Sequence, residues 1–330
     1  MFKKILYMLC IALVLLTTVS CKSGTKKVED FPEYVNNLES YKVTGKLYSM
    51  FPTGTKESLI TVYYQKPDNY RVEIDKSNNG DKQIILKNSD GLYVLIPSVN
   101  KSYQLKSGWP VNSSYSYLLQ SLVKDYVNDD TRVVKEEEDH TIVELKIKLF
   151  ENALAASEKV TFDNETGLPT EVQVFDDSNN LLTRFVYLSI EENPNLDKEL
   201  FSKNETQTSS FETFGSLEYN RETTYPTYYP LNTSLKDEKR VGNSNALTVI
   251  MTYSGDYNYT IIEDYVYQSE KEVVDYVDGY IYVMGDSVGI INNNVLTFFA
   301  EGISYTLASN EVSVLELVKI GNSLIVSQEK

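Results

Sequence analysis

From Tyr41 to Glu192 the chain runs as short segments with apolar residues at or near every second position. "YKVTGKLYSM", "ESLITVYYQKP", "YRVEIDK", "KQIILKN", "GLYVLIP" and "KSYQLK" have the period of a half-buried strand. Between them stand Pro52-Thr53-Gly54, Lys66-Pro67-Asp68-Asn69, Asn78-Asn79-Gly80 and Ser89-Asp90-Gly91, residue types that reverse a chain at low steric cost. Short strands separated by turns predict an antiparallel meander. The same rhythm resumes in "TRVVKEEE", "HTIVELKIKLF", "SEKVTFD", "PTEVQVFD" and "LLTRFVYLSIEE".

Two stretches depart from period two. "FPEYVNNLESY" reads as a short helix. "NSSYSYLLQSLVKDYV" places Tyr115, Leu118, Leu119, Leu122, Val123 and Tyr126 at helical spacing, with Asn112 or Ser113 as its N-cap. The pattern predicts an α+β, mostly β fold, a large curved antiparallel sheet with a few helices against one face. "SKNETQTSSFE" (Ser202–Glu212) reads as a linker, and "TTYPTYYPLNTSLKDEKRV" as an extended segment in which Pro226 and Pro230 exclude regular helix. The strand-like runs "ALTVIMTYS", "YNYTIIEDYVY", "GYIYVMG", "SVGIINN", "VLTFFAE" and "ISYTLAS" follow, and "EVSVLELVKIGNSL" closes the chain as an amphipathic helix.

A chain of 330 residues exceeds the roughly 250–300 at which one core stops growing, so two domains are expected. The expected layout is a signal peptide at 1–20, a tether at 21–29, the large sheet at 30–203, a linker at 204–215 and a smaller α+β module at 216–330.

The N-terminus suggests where the protein works. Lys3 and Lys4 precede Ile5 to Leu16, an apolar segment of about a dozen residues, shorter than the roughly 20 a membrane-spanning helix needs. This is the outline of a secretory signal. It runs into Thr18-Val19-Ser20-Cys21, which is similar to a bacterial lipoprotein cleavage site, although Thr18 stands where Leu is usual. An ordinary signal peptide that happens to contain Cys21 is the competing reading. Cys10 lies inside the apolar segment, so the mature chain would keep Cys21 alone, with no disulfide partner. Cys21 is therefore expected to carry diacylglycerol and to hold the protein at the outer face of the cytoplasmic membrane. The net charge of −16 opposes binding to nucleic acid and to anionic lipid, so a covalent anchor gains weight.

Candidate chemistry is sparse. His140 is the only histidine and lies at a turn between two strands, which favours an exposed loop residue over a catalytic base. Glu136-Glu137-Glu138-Asp139 offers oxygen ligands for Ca²⁺, but consecutive strand residues point to opposite faces, which favours a solvated hairpin tip. No catalytic residue, metal site or cofactor is expected. Arg71 and Glu73 share a strand face and are read as a structural ion pair. Trp109, before Pro110, is either a cap on a cavity mouth or a core residue. There are 26 tyrosines; strand propensity accounts for most, while Tyr225, Tyr228 and Tyr229 in "TTYPTYYP" form a candidate docking surface.

The short helix, "YYQKPDNYRVEI", "GLYVLIP", "YQLKSGWP", the second helix and "VTFDNETGLPTEVQVFD…TRFVYLSIEENPNLDKELF" together resemble the LolA/LolB lipoprotein-carrier superfamily, in particular its Gram-positive branch of GerS-like germination and sporulation lipoproteins. The C-terminal half adds a likeness to the two-domain layout of RseB/MucB. The resemblance implies an incomplete β-barrel closed by helices, with a cavity that shields acyl chains in the Gram-negative carriers. There an Arg-Pro pair helps to latch the lid; here Lys66-Pro67 takes its place, and Lys lacks the planar donor fork. Lys66, Pro67, Arg71 and Trp109 are thus the cavity and lid candidates. A chain fixed at Cys21 suits a stationary, non-catalytic partner of an envelope or cortex protein, a cell-wall amidase in the GerS case, and the resemblance implies the space around a forming spore as an alternative location. Binding of lipid or another amphiphile in the half-barrel is the alternative.

Overall fold

The computed structural model describes residues 28–76, 82–110, 113–149, 155–204, 222–243, 246–266 and 271–324. Cys21, Asn112 and most of the expected linker fall outside them. The first element is a short helix, α1 (Phe31–Asn37), with Pro at its start and Phe31 and Val35 buried one turn apart. A meander follows: β1 (Ser40–Phe51), β2 (Gly54–Gln65), β3 (Asn69–Lys76), β4 (Lys82–Asn88), β5 (Gly91–Ile96) and β6 (Lys101–Leu105). Helix α2 (Leu119–Asn128) interrupts it before β7 (Val133–Glu136), β8 (His140–Lys148), β9 (Ala155–Asp163), β10 (Pro169–Phe175) and β11 (Leu181–Glu192). The remaining chain forms β12 (Thr233–Asn243), β13 (Ala246–Gly255), β14 (Tyr259–Tyr265), β15 (Val273–Val277), β16 (Tyr280–Met284), β17 (Ser287–Asn292), β18 (Val295–Ala300), β19 (Ile303–Ala308) and α3 (Val314–Leu324). The protein is mostly β, in two open sheets.

The large sheet has twelve strands in the order β15-β6-β5-β4-β3-β2-β1-β11-β10-β9-β8-β7. β1 and β11 close the sequence gap between the two meanders by pairing along most of their length. Their ladder shifts register between Thr44 and Gly45, where a Cβ on Gly45 would lie 2.3 Å from Cζ of Phe185. Glycine is needed there so that the Phe185 ring can lie over the strand. The second sheet has seven strands in the order β12-β13-β14-β19-β18-β17-β16, and α3 packs on β18 and β19. Gly321 lets the helix come close: a Cβ there would meet Phe298 and Leu296 at 3.0 and 3.1 Å.

Three outcomes differ from the sequence reading. Helix α2 starts at Leu119, not at Ser113, because the preceding tyrosines are drawn into the interior. The Tyr115 hydroxyl donates to the Ile281 carbonyl (3.0 Å), and its N–H donates to Ser121 Oγ (2.7 Å). The charge-rich segment Thr233–Asn243 is a strand, the edge of the second sheet. Finally, β15 leaves the second half of the chain and joins the large sheet, parallel to β6. An all-antiparallel sheet was expected; this one edge pair is parallel, fastened by Lys101–Asp275 (2.5 Å) and Ser102–Glu272 (2.5 Å).

The two sheets share one apolar core. Buried polar side chains tie them: Gln83 donates to the Phe299 carbonyl (2.9 Å) and accepts from the Val288 N–H (2.8 Å), while Ser58 donates to the Gly285 carbonyl (2.5 Å). Each bond satisfies a backbone group that would otherwise be stranded away from water.

Candidate functional site

On the packed face of the large sheet the alternation of β1, β2 and β3 turns Tyr41, Tyr64 and Tyr70 inward. These begin a string of touching rings. Tyr41 stacks on Tyr64 (5.0 Å between centroids), Tyr64 lies tilted against Tyr70 (4.9 Å), and Tyr70 meets Trp109 edge-on (5.3 Å). The string continues through Tyr115, Tyr117 and Phe185 to Tyr187, back on the strand beside β1. All but Tyr187 are buried, so this face is filled by the protein's own rings. An acyl chain seated there would have to displace them.

The cavity and lid candidates separate. Trp109 is 3% exposed, locked between Tyr70 and Tyr115, in the place of a core residue. Its carbonyl accepts from Lys87 Nζ (2.7 Å), which also pairs with Asp68 (2.6 Å), so the Lys66–Asn69 turn is held against the arc. Lys66 itself points to the start of β1, its Nζ 2.9 Å from Glu39, and Pro67 offers its carbonyl to the Tyr64 hydroxyl at 3.5 Å. Arg71 lies on the opposite face of β3 from Tyr70. There it pairs with Glu73 (2.7 Å) and donates to the Leu200 carbonyl (3.1 Å), the structural ion pair read from the spacing. Burial raises the Glu73 carboxyl, but Arg71 and Lys82 outweigh it and hold the group below its ordinary range.

The tyrosine candidates lie on the second sheet, where residues 222–230 cross its packed face as a strap. The Thr224 N–H donates to Glu263 Oε1 (3.0 Å), Arg240 to Thr223 Oγ1 (2.7 Å), and Thr227 Oγ1 to the Ser323 carbonyl (3.3 Å). Tyr228 is half-buried, its hydroxyl bonded to Glu316 on α3. Tyr225 and Tyr229 are each 43% exposed. The Tyr225 hydroxyl donates to Glu238 (2.6 Å), and the Tyr229 ring leans on Tyr253, itself stacked on Tyr259. The triplet therefore splits into one anchor and two outward rings.

His140 caps an exposed hairpin, its Nδ1 2.6 Å from Asp139, and Glu136 to Asp139 are all exposed. Among the described residues no three His, Cys, Asp or Glu side chains converge as metal ligands, and no helix is long and apolar enough to cross a membrane. Two glutamates escaped the sequence reading, Glu158 on β9 and Glu263 on β14, both fully interior. The signal was in the strand phase. Ala156, Glu158, Val160 and Phe162 occupy one face, as do Tyr259, Ile261, Glu263 and Tyr265, so each glutamate stands where an apolar residue is called for. Burial pushes Glu263 up to about 7 and Glu158 well above the carboxylate range.

The model of the sporulation protein YdcC-like family matches residues 1–201. A Bacillus subtilis protein described as sporulation protein YdcC is 28% identical over 319 residues, covering 95% of this chain and 94% of that protein. Among solved structures, the Pseudomonas aeruginosa MucA/MucB complex is similar at 12% identity and a TM-score of 0.33, over 90% of this chain and 97% of that one. The CwlD amidase of Clostridioides difficile in complex with the GerS lipoprotein aligns at 15% identity and a TM-score of 0.27, over 51% of this chain and 92% of that one. A LolA superfamily protein from Nitrosomonas europaea aligns at 12% and 0.32, over 54% and 99%.

Proposed function

The chain belongs to the sporulation protein YdcC-like family, and from that premise we propose a membrane-anchored, extracytoplasmic binding or regulatory protein of sporulation. It works through a protein partner rather than through catalysis. The observation that carries the reading is the match to a sporulation protein along 95% of the chain, both sheets included. The lipid on Cys21 fixes the protein at the membrane surface. The strap then presents Tyr225 and Tyr229 as a firmly held aromatic surface for the partner, an envelope or cortex protein such as a cell-wall amidase. Aromatic rings on a clamped backbone lose little freedom on binding, which suits them to docking.

Cross-linking in sporulating cells, followed by purification from membranes, tests this. A stoichiometric partner is expected with the natural chain and is lost with Tyr225→Ala/Tyr229→Ala, a variant that also gives up the Glu238 hydrogen bond and the Tyr253 ring contact and is therefore checked for its fold by circular dichroism. Recovery of the same partner with the double variant removes the strap from the interface. Recovery of none with either chain defeats the partner reading.

A further inference from the structure

Helix α2 meets the large sheet across two carboxyl groups. Glu158 on β9 is 1% exposed, and neither of its oxygens has a hydrogen-bond partner. Its cross-strand neighbours, Leu145 on β8 and Val174 on β10, are apolar. Asp125, buried on the helix, is close enough for its charge to act on Glu158. Oδ1 of Asp125 accepts from Ser114 Oγ (3.0 Å), while Oδ2 has no partner.

The other charged and titratable groups around the pair are few. From α2 itself, Lys124 Nζ lies 3.6 Å from Asp125 Oδ1 and donates to the Ser113 carbonyl (2.7 Å). From β11, the Tyr187 hydroxyl donates to the Ser116 carbonyl (2.8 Å). Beyond the helix end, Asp129 is engaged by the N–H groups of Lys146 and Thr131. Helix α1 turns Phe31 and Val35 inward and keeps Glu33 in solvent. One ammonium cannot neutralise two carboxylates, and an unpaired buried carboxylate is far costlier than its protonated form.

We propose that α2 is a proton-dependent cover: it seats on the sheet while Asp125 and Glu158 share at least one proton, and it lifts when that proton is lost. Seated, the helix hides the aromatic arc, gripping it where the Tyr41 hydroxyl donates to Gln120 Oε1 (2.5 Å). Lifted, it hydrates both carboxylates and bares the rings. Burial is the main cause that raises both groups: Asp125 to about 6, with Lys124 and Ser114 opposing, and Glu158 well above the carboxylate range, with Asp125 adding and Lys124 opposing. The seated state therefore retains protons that the lifted state gives up above the ordinary carboxylate range of about 4. Seating is firmest below that range and weakens as pH rises. Each pH unit over which lifting releases one proton multiplies the lifted population about tenfold.

Amide hydrogen exchange on the full chain between pH 5 and pH 8, corrected for intrinsic rates, reads this directly. Protection of α2 should fall about tenfold per pH unit in the natural chain, while α1 and the central strands stay level. Glu158→Gln, neutral at every pH, should level α2 protection above about pH 6 and leave below it only the slope that belongs to Asp125, which Asp125→Asn should remove. A pH-independent α2, a slope spread evenly over the whole chain, or an unchanged slope in Glu158→Gln each overturns the proposal. The natural chain decides the first two outcomes even if a variant does not fold.

Discussion

Each sheet buries one glutamate in strand phase, and the two are covered differently. Glu263 meets the strap, whose Thr224 N–H donates to it, and it settles at about 7. Glu158 meets a helix that brings another carboxyl, and no donor reaches it. A carboxyl set against a backbone donor acts as a fastener, since the donor would be stranded if the cover left. A carboxyl set against a carboxyl stays covered only through protonation. The same residue type, buried to the same depth, thus holds one cover and loosens the other.

The largest effect should come from breaking the helix-covered face at its centre. Trp109→Ala deletes the ring that joins Tyr70 to Tyr115 and should cost about 3–5 kcal/mol in urea unfolding. A loss below about 1 kcal/mol would mean that the arc is not a continuous packing unit. Next, Glu263→Ala should cost about 1–3 kcal/mol beyond its cavity, because the Thr224 N–H loses its acceptor, and strap amides should exchange faster. Glu158→Ala strands no donor, so an equal cost at pH 8 would erase the contrast. The smallest effect, read per pH unit, is the slope at Glu263. Its raised value makes stability greatest below the ordinary carboxylate range, falling as pH rises to about 7 and level above. The slope is at most about 1.4 kcal/mol per pH unit, and Glu263→Gln should remove it in paired unfolding curves.

How much of this was legible follows from where each contact is made. The strands of the large sheet could be read because each run's alternation is its own burial pattern, as in β1, where Tyr41, Val43 and Leu47 are interior and Lys42, Thr44 and Lys46 are half-exposed. The Arg71–Glu73 pair needed only the two-residue spacing. The start of α2 was misplaced because Ile281, 166 residues away, captures the Tyr115 hydroxyl. Strand β12 was hidden by its charges, which suit an exposed edge. β15, "VVDYV", is a five-residue run whose fastening partners are Lys101 and Ser102, far back in the chain. The paired carboxyls under α2 depend on helix and strand meeting in space, so strand phase alone marked Glu158 and could not supply Asp125.

The parallel edge strand also sets an order on assembly. Lys101 must wait for Asp275, 174 residues later, before the β6 edge is covered. Until then the first half of the chain carries an unpaired strand edge, the feature through which partly folded chains join one another. Such long-range pairing is slow to form, so maturation of the large sheet is paced by delivery of the second half. A chain stopped after the first meander pair would be left with an adhesive flank rather than a smaller working protein.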